Sequence, residues 1–413
     1  MRSETKRDLP EQQPSDPDFE ESSLNRCALH VLTLTPFFPF EENPVYGTYV
    51  SEPIAHFERF NLHSTVVGVS PLHHKRRHPL PGVPAEWLRY ATVPGNVGLT
   101  TAGLFLFRRL LPFARRLHER NAIGVIHAHA PLPCGHAAML LAERMNVPFV
   151  VTIHGLDVFN ACFEPGTGAA ERRARLSAEI YRRAASVICI SKMVENILKR
   201  DLPPVPSCVI YNGTDPELFS PQDVSRDANR QGGPTILVVG NLLRGKGHET
   251  VLAAMAQVSA QFPELRCRII GEGADRQRFS ELVRSLGIAK RVLFHGRQDR
   301  KAVAEAMRDC TIFALPSRFE ALGCAYLEAM ASGKPVIACE GQGIGEIIKH
   351  GQNGWLIPAD GVPEMADALR QLLASPALRE RMGSNARRTI VGGLRLADQA
   401  HRLGNLYRSV TRS

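Results

Sequence analysis

Along most of the chain, short runs of β-branched and aliphatic residues alternate with longer stretches in which apolar positions recur every three to four residues. The short runs in the first half are "CALHVLTLT" (27–35), "HSTVVGV" (63–69), "IGVIHAH" (123–129), "VPFVVTI" (147–153), "SVICI" (186–190) and "SCVIY" (207–211). In the second half they are "TILVVG" (235–240), "LRCRIIG" (265–271), "RVLFHG" (291–296), "TIFALP" (311–316), "PVIAC" (335–339) and "GWLIP" (354–358). Near-continuous apolar strands separated by amphipathic helices predict parallel sheets covered on both faces. The fold class expected is therefore α/β, with two Rossmann-like, doubly wound domains facing each other across a cleft. Helices are predicted near 133–145, 170–185 and 191–200, with two more over 361–390. The polar, Gly- and Pro-containing stretch "SPQDVSRDANRQGGPT" (220–235) contains the linker. The expected organisation is a tail over 1–25, a first domain over 26–220, a linker over 221–234, a second domain over 235–390 and a helical tail over 391–413. That last segment is expected to pack back on the first domain.

With 413 residues the chain is long enough for two such cores, and 44% hydrophobic with 22% charged residues is ordinary for a globular protein. No run approaches the length needed to cross a bilayer, and the polar start shows no leader-like apolar segment. Nine scattered cysteines without a C-x-x-C pair fit reduced thiols, and a cytoplasmic location is expected. The formal charge of +9 is concentrated: nine Lys/Arg against two Glu lie between residues 70 and 120. Without interleaved stacking aromatics or a recognised module, this excess does not point to nucleic acid. In "GLFLFRRLLPFARRLHER" (103–120), Leu104, Leu106, Phe107, Leu110, Leu111, Phe113 and Leu117 fall on one half of a helical wheel. Arg108, Arg109, Arg115, Arg116 and Arg120 fall on the other half. Such a helix fits either a sheet-packing element with a solvated face or a peripheral contact with an anionic membrane surface.

The chemistry gathers in the second half. "GNLLRGKG" (240–247) resembles a phosphate loop, but Gly247 stands where that loop carries its magnesium-binding hydroxyl. Such a turn still offers backbone N–H groups and Lys246 to an anion. Two further glycine-rich turns, "GEGADR" (271–276) and "GQGIGEII" (341–348), follow other strands, and three turns on one sheet edge favour a diphosphate. In "LPSRFEALGCAYLEAMASGKPVIA" (315–338), Glu320 and Glu328 flank a change from loop to helix. They are spaced to take the two ends of a nucleotide-sugar, with the N–H groups near Leu322 and Gly323 between them.

These motifs, taken in order with "VVTIHGLD", "VIYNGTDPELF", "ASGKPVIA" and "GIGEIIKHGQNGWLI", resemble the retaining glycosyltransferases of family 4 (glycosyl transferases group 1), which have the GT-B fold. The resemblance spans roughly residues 27–390. It implies transfer of a sugar from a UDP- or GDP-linked donor to a glycan or lipid-linked acceptor, in cell-surface glycan, exopolysaccharide or lipopolysaccharide assembly. It further implies that Lys246 and Arg244 neutralise the donor diphosphate, helped by the N–H groups of Gly343, Ile344 and Gly345 and by the main chain of Gly47. Glu320 would position the sugar, Glu328 would hold the ribose, and His154 would lie beside the sugar. The turn containing Gly296 and Arg297 would hold the base. Asp157, Ser191 and Asn212 are weaker candidates, each equally suited to a turn or helix cap. The chain departs from the family pattern at Asn241, where an arginine is common, and at Ala321 and the lone Gly47, where glycines are usual. No cofactor and no metal is expected. The alternative is a sugar-nucleotide epimerase on the same fold, acting without an acceptor.

Overall fold

The computed structural model describes residues 28–93, 98–155, 168–221 and 233–412. The first lobe is built on seven parallel strands: β1 Leu29–Thr35, β2 Leu62–Pro71, β3 Glu86–Tyr90, β4 Ile123–His129, β5 Phe149–Ile153, β6 Ser186–Cys189 and β7 Ser207–Val209. Their spatial order is β3-β2-β1-β4-β5-β6-β7. The second lobe has six: β8 Thr235–Val239, β9 Arg266–Ile270, β10 Val292–Phe294, β11 Ile312–Ala314, β12 Val336–Cys339 and β13 Trp355–Ile357, ordered β10-β9-β8-β11-β12-β13. In each sheet the order reverses at the first strand, which opens a crevice at the strand C-termini. The strand absent from the sequence reading is β3, whose "EWLRY" has no β-branched residue and sits at the sheet edge beside β2.

Helices α1 Thr48–Ile54, α2 Leu99–Arg120, α3 His136–Met145, α4 Gly168–Arg183 and α5 Lys192–Asp201 belong to the first lobe. The second carries α6 His248–Val258, α7 Arg276–Ser285, α8 Arg300–Asp309, α9 Cys324–Ala331, α10 Val362–Ala374 and α11 Pro376–Val391. Central strands are buried on both faces: Val31, Leu32 and Leu34 of β1 and Ile236, Leu237 and Val238 of β8 have no exposed surface. Among the described residues no helix is long and apolar enough to cross a membrane.

The final helix, α12 Leu396–Val410, leaves the second lobe and packs on the first. Its Ala400, Leu403 and Tyr407 close a cluster with Val31, Phe57, Leu62, Val125, Val150, Ile188 and Ile210. The chain thus crosses between the lobes twice, after β7 and again before α12. The two crossings touch: Thr214 N–H donates to Leu394 O (3.0 Å), and Leu396 N–H donates to Thr214 O (3.1 Å). A Cβ on Gly213 would stand 2.4 Å from the carbonyl oxygen of Arg395, so only glycine allows that approach.

Helix α2 runs longer than the pattern suggested. Leu106, Leu110 and Ala114 pack inward. Leu104, placed on the inward half of the wheel from sequence, is instead 40% exposed, as is its neighbour Phe105. Arg108, Arg109, Arg115, Arg116 and Arg120 are exposed. The correction follows from the helix beginning at Leu99: its inward stripe is set by Ala102, Gly103 and Leu106, which turns Leu104 to the outside.

Candidate active site

The first glycine-rich loop is folded against the segment after β11. Arg318 N–H donates to Gly245 O (2.7 Å), and Ser317 Oγ donates to Lys246 O (3.4 Å). Gly247 has φ 81°, and a Cβ there would lie 2.3 Å from Pro316 O. Serine or threonine is excluded at this position, so the phosphate-loop likeness ends at the backbone. The consequence is chemical: the loop directs Lys246 toward Glu320, Nζ to Oε2 at 2.8 Å, in a pair largely withdrawn from solvent. Arg244 is not brought to this pair. Its side chain is 74% exposed and leans on Asp275 (3.5 Å), which also accepts from the Arg244 N–H (2.9 Å).

Glu320 is fixed through its main chain by the third glycine-rich turn. Its N–H donates to Gln342 Oε1 (3.0 Å), and its carbonyl accepts from Gly343 N–H (3.0 Å). A Cβ on Gly343 would stand 1.8 Å from Ala321 O, so the turn and the Glu320 loop are in direct backbone contact. This corrects one expectation. The N–H groups of Gly343 and Gly345 donate to Glu320 O and Gln342 O respectively, which removes them from the donor set expected for a diphosphate. Ile344 is buried, as is Leu322, so the side chains of both are part of the core. Gly323 (φ 82°) starts α9, whose first N–H groups have no partners within the helix. Gly296 (φ 68°) ends the β10 segment, its carbonyl accepting from Gly271 N–H (2.9 Å), and Arg297 is exposed beside it.

From the other lobe, the end of β5 faces this loop. A Cβ on Gly155 would meet the Ala321 Cβ at 3.0 Å, so the Ala321 methyl sits where Gly155 leaves room. His154, one residue earlier, is thereby carried to the crevice. Its Nε2 is 2.8 Å from His129 Nδ1, and the two rings stack at 5.0 Å and 12°. Phe37 meets it edge-on at 5.8 Å and Tyr49 lies at 4.8 Å. Gly47 (φ 72°) precedes α1, and a Cβ there would stand 2.3 Å from the Phe37 carbonyl carbon, so the start of α1, which carries Tyr49, is held down on the wall around His154.

Behind His154 the polar contacts continue into the core. His127 Nε2 is 2.7 Å from Thr152 Oγ1, and His127 Nδ1 is 2.7 Å from the Tyr407 hydroxyl on α12. Burial lowers the pKa of His127 and of His154 to about 3 and that of His129 well below its ordinary value, with the neighbouring histidines adding to the effect at His127 and His129. The His129–His154 bond needs one nitrogen to donate and one to accept, so protonation of both rings breaks it. The unfolded chain binds these protons at about pH 6.5, whereas in the folded chain His127 and His154 bind theirs only near 3 and His129 binds its own well below 6.5. Stability is therefore complete above about 6.5 and declines as pH falls below it, by up to about 1.4 kcal/mol per pH unit for each histidine. Urea unfolding at pH 7 and pH 5 should show a lower midpoint at pH 5, and His129→Gln should reduce the difference.

Sequence reading missed several residues that complete the site. Glu328, which was expected, is buried on α9 and pairs with Arg300, which was not and which opens α8. Arg300 in turn pairs with Glu52 of α1 at 2.8 Å. Burial pushes Glu52 up to about 7 against the pull of Arg300, with Glu328 and Asp215 adding to the rise. A basic residue at the first position of a helix opposes the helix dipole, and that was the available signal. Glu346, inside a quoted glycine motif, reaches the other lobe: its carboxylate accepts from the N–H groups of Lys192 (2.9 Å) and Met193 (2.6 Å) and from the Tyr211 hydroxyl (2.8 Å). It adds a second cap to α5, whose Ser191 Oγ accepts from Val194 N–H (3.2 Å). Asn212 is buried against Cys324 and Gln399, and Asp157 lies outside the described residues. Among the described residues no group of three His, Cys, Asp or Glu side chains is arranged to hold a metal ion.

Two halves of the chain match two family descriptions: residues 46–218 match Glycosyltransferase Family 4, and residues 221–389 match Glycosyl transferases group 1. The D-inositol 3-phosphate glycosyltransferase of Corynebacterium diphtheriae is 31% identical over 317 residues, 73% of this chain and 72% of that one. This protein belongs to the family 4, group 1 glycosyltransferases. The glycosyltransferase is also 28% identical to the alpha-D-kanosaminyltransferase of Streptomyces kanamyceticus, over 82% of its own length and 89% of the relative's. Its GT-B fold is shared with sucrose-phosphate synthase from Thermosynechococcus elongatus (TM-score 0.73, 24% identity, 92% and 98% of the two chains). Anabaena HepE, solved with UDP and glucose, has the same architecture (TM-score 0.71, 18% identity, 92% and 99%).

Proposed function

We propose that this glycosyltransferase is a retaining, metal-independent enzyme. It takes a sugar from a UDP- or GDP-linked donor and passes it to a hydroxyl of a glycan or lipid-linked acceptor in cell-surface polysaccharide assembly. The observation that carries the reading is the Lys246–Glu320 pair, held by two glycine turns and faced from the other lobe by the strand end bearing His154. As the bond between the anomeric carbon and the diphosphate breaks, negative charge grows on the departing group. A fixed ammonium and the N–H groups opening α9 stabilise that charge without rearranging. Glu320 accepts hydrogen bonds from sugar hydroxyls, Glu328 from the ribose, and neutral His154 meets the sugar from the acceptor side. Lys246 places a positive charge where other enzymes use a divalent cation, and this supports metal independence.

The test is a nucleotide-sugar panel with lipid extract and glycan acceptors. Released nucleoside diphosphate identifies the donor, and the anomeric configuration of the product decides retention. Turnover that survives chelation supports the reading, whereas inversion or strict dependence on magnesium or manganese overturns the corresponding part. Conversion of the donor without any acceptor would establish an epimerase instead.

The exposed Leu104 and Phe105 beside Arg108 and Arg109 favour the membrane reading of α2, since an apolar edge flanked by cations suits an anionic interface. Changing Arg108, Arg109, Arg115 and Arg116 together to Ser should lower partitioning onto anionic vesicles by tenfold or more, at about 1 kcal/mol per charge, with the largest loss at low salt. Unchanged vesicle binding rules the contact out.

A further inference from the structure

Glu52, Arg300 and Glu328 form a line of ion pairs that crosses the interlobe crevice. The Arg300 Nη1 meets Glu328 Oε1 on α9, while Nη2 lies 2.8 and 2.9 Å from the two carboxylate oxygens of Glu52 on α1. The guanidinium carbon stands 4.8 Å from the centre of the Phe219 ring, at the end of the first interlobe crossing. The three side chains are 24%, 21% and 7% exposed, in the order Glu52, Arg300, Glu328. A half-buried cation at the N-terminal end of a helix faces an adverse dipole and loses hydration. Here two carboxylates, one from each lobe, offset both costs.

We propose that Arg300 is a positioning residue for Glu328, and that Glu52 secures it from the opposite lobe, so the ribose-reading carboxylate is set only while the lobes are apposed. This rests on the assignment of Glu328 to the donor ribose made above. The chemistry is direct. Glu328 has two oxygens; Arg300 engages Oε1 and leaves Oε2 to accept from a ribose hydroxyl. The rigid, planar guanidinium holds its two ends at a fixed angle, Nη1 on Glu328 and Nη2 on Glu52, so it ties the position of one carboxylate to the other, which an ammonium does not do. Arg300 does not itself touch the donor. It acts through Glu328, and Glu52 acts through Arg300.

The experiment compares binding of UDP with 2′-deoxy-UDP, and of GDP with 2′-deoxy-GDP, to the full chain by titration calorimetry. The unaltered protein should prefer the ribose form of its nucleotide by roughly tenfold, the equivalent of about 1.4 kcal/mol for one hydrogen bond to a charged group. Glu328→Gln and Arg300→Gln should each cut that preference below about threefold, and the double variant should be no worse than either single one, as expected for residues acting in series. Glu52→Gln should lower the preference in part. If Arg300→Gln does not fold, Arg300→Lys keeps the charge without the fork and should still weaken the preference. Full ribose preference in the Arg300 variant beside its loss in Glu328→Gln overturns the positioning role and leaves the ribose assignment intact. Full preference in Glu52→Gln overturns the interlobe part. No preference in the unaltered protein, or undiminished preference in Glu328→Gln, overturns the ribose assignment and this inference with it.

Discussion

Lys246→Ala should lower the transfer rate by about 10²–10³-fold, the loss seen when one preorganised donor is removed from a developing negative charge. The folded state should survive. Breaking a partly withdrawn pair costs more than breaking one at the surface, but Lys246 and Glu320 retain 28% and 16% exposure, so water can reach the carboxylate left behind. Removing the ammonium has a second effect, because Glu320 then lacks its cation at 2.8 Å. Glu320→Gln separates the two. If Lys246 serves the diphosphate directly, the double variant Lys246→Ala/Glu320→Gln is slower than either single variant. If its role is only to hold Glu320, the single and double variants fall to the same level as Glu320→Gln. Steady-state kinetics with thermal melts of all three proteins decide the matter. Wild-type kcat in Lys246→Ala would remove the basis of the proposed mechanism.

The second large effect concerns stability, and it lies far along the chain from the crevice motifs. Tyr407→Ala should destabilise the first lobe by about 3–5 kcal/mol, the range for deleting a buried aromatic ring. The ring has no exposed surface and packs edge-on to Phe57 at 6.1 Å. Tyr407→Phe keeps the ring and removes only the hydroxyl, 2.7 Å from His127 Nδ1. It leaves a buried ring nitrogen without that partner and should cost about 1–3 kcal/mol. Urea unfolding followed by circular dichroism measures both. Equal loss in the two variants would assign the effect to the hydrogen bond alone, and no loss in either would mean that α12 is not part of the first lobe's core.

Much of the fold was legible because parallel strands carry an unambiguous signature. Segments such as "TILVVG" and "VPFVVTI" are apolar on both faces, and helices cover both. The edge strand β3 escaped because Glu86, Trp87 and Arg89 present a half-exposed, mixed face with no such run. Of the site, the residues legible from sequence were those whose type is demanded locally. Gly247 must be glycine because Pro316 O is against it, and Lys246 follows from that loop. Gly343 was also legible as a required glycine, but for a different reason than expected: it serves close packing on Ala321, and its N–H is spent on Glu320. Arg300, Glu52, Glu346 and His129 were not legible. Each owes its place to a partner at least 25 positions away, and nothing in the local pattern names that partner.

The side-by-side crossings at Thr214 and Arg395 limit how the two lobes can move. One tether would let them swivel in any direction, whereas a hydrogen-bonded pair of tethers acts as a pin and leaves bending about one axis as the easy motion. Such a pin should confine any widening of the crevice to a single arc, so that the two walls keep one alignment toward whatever enters between them.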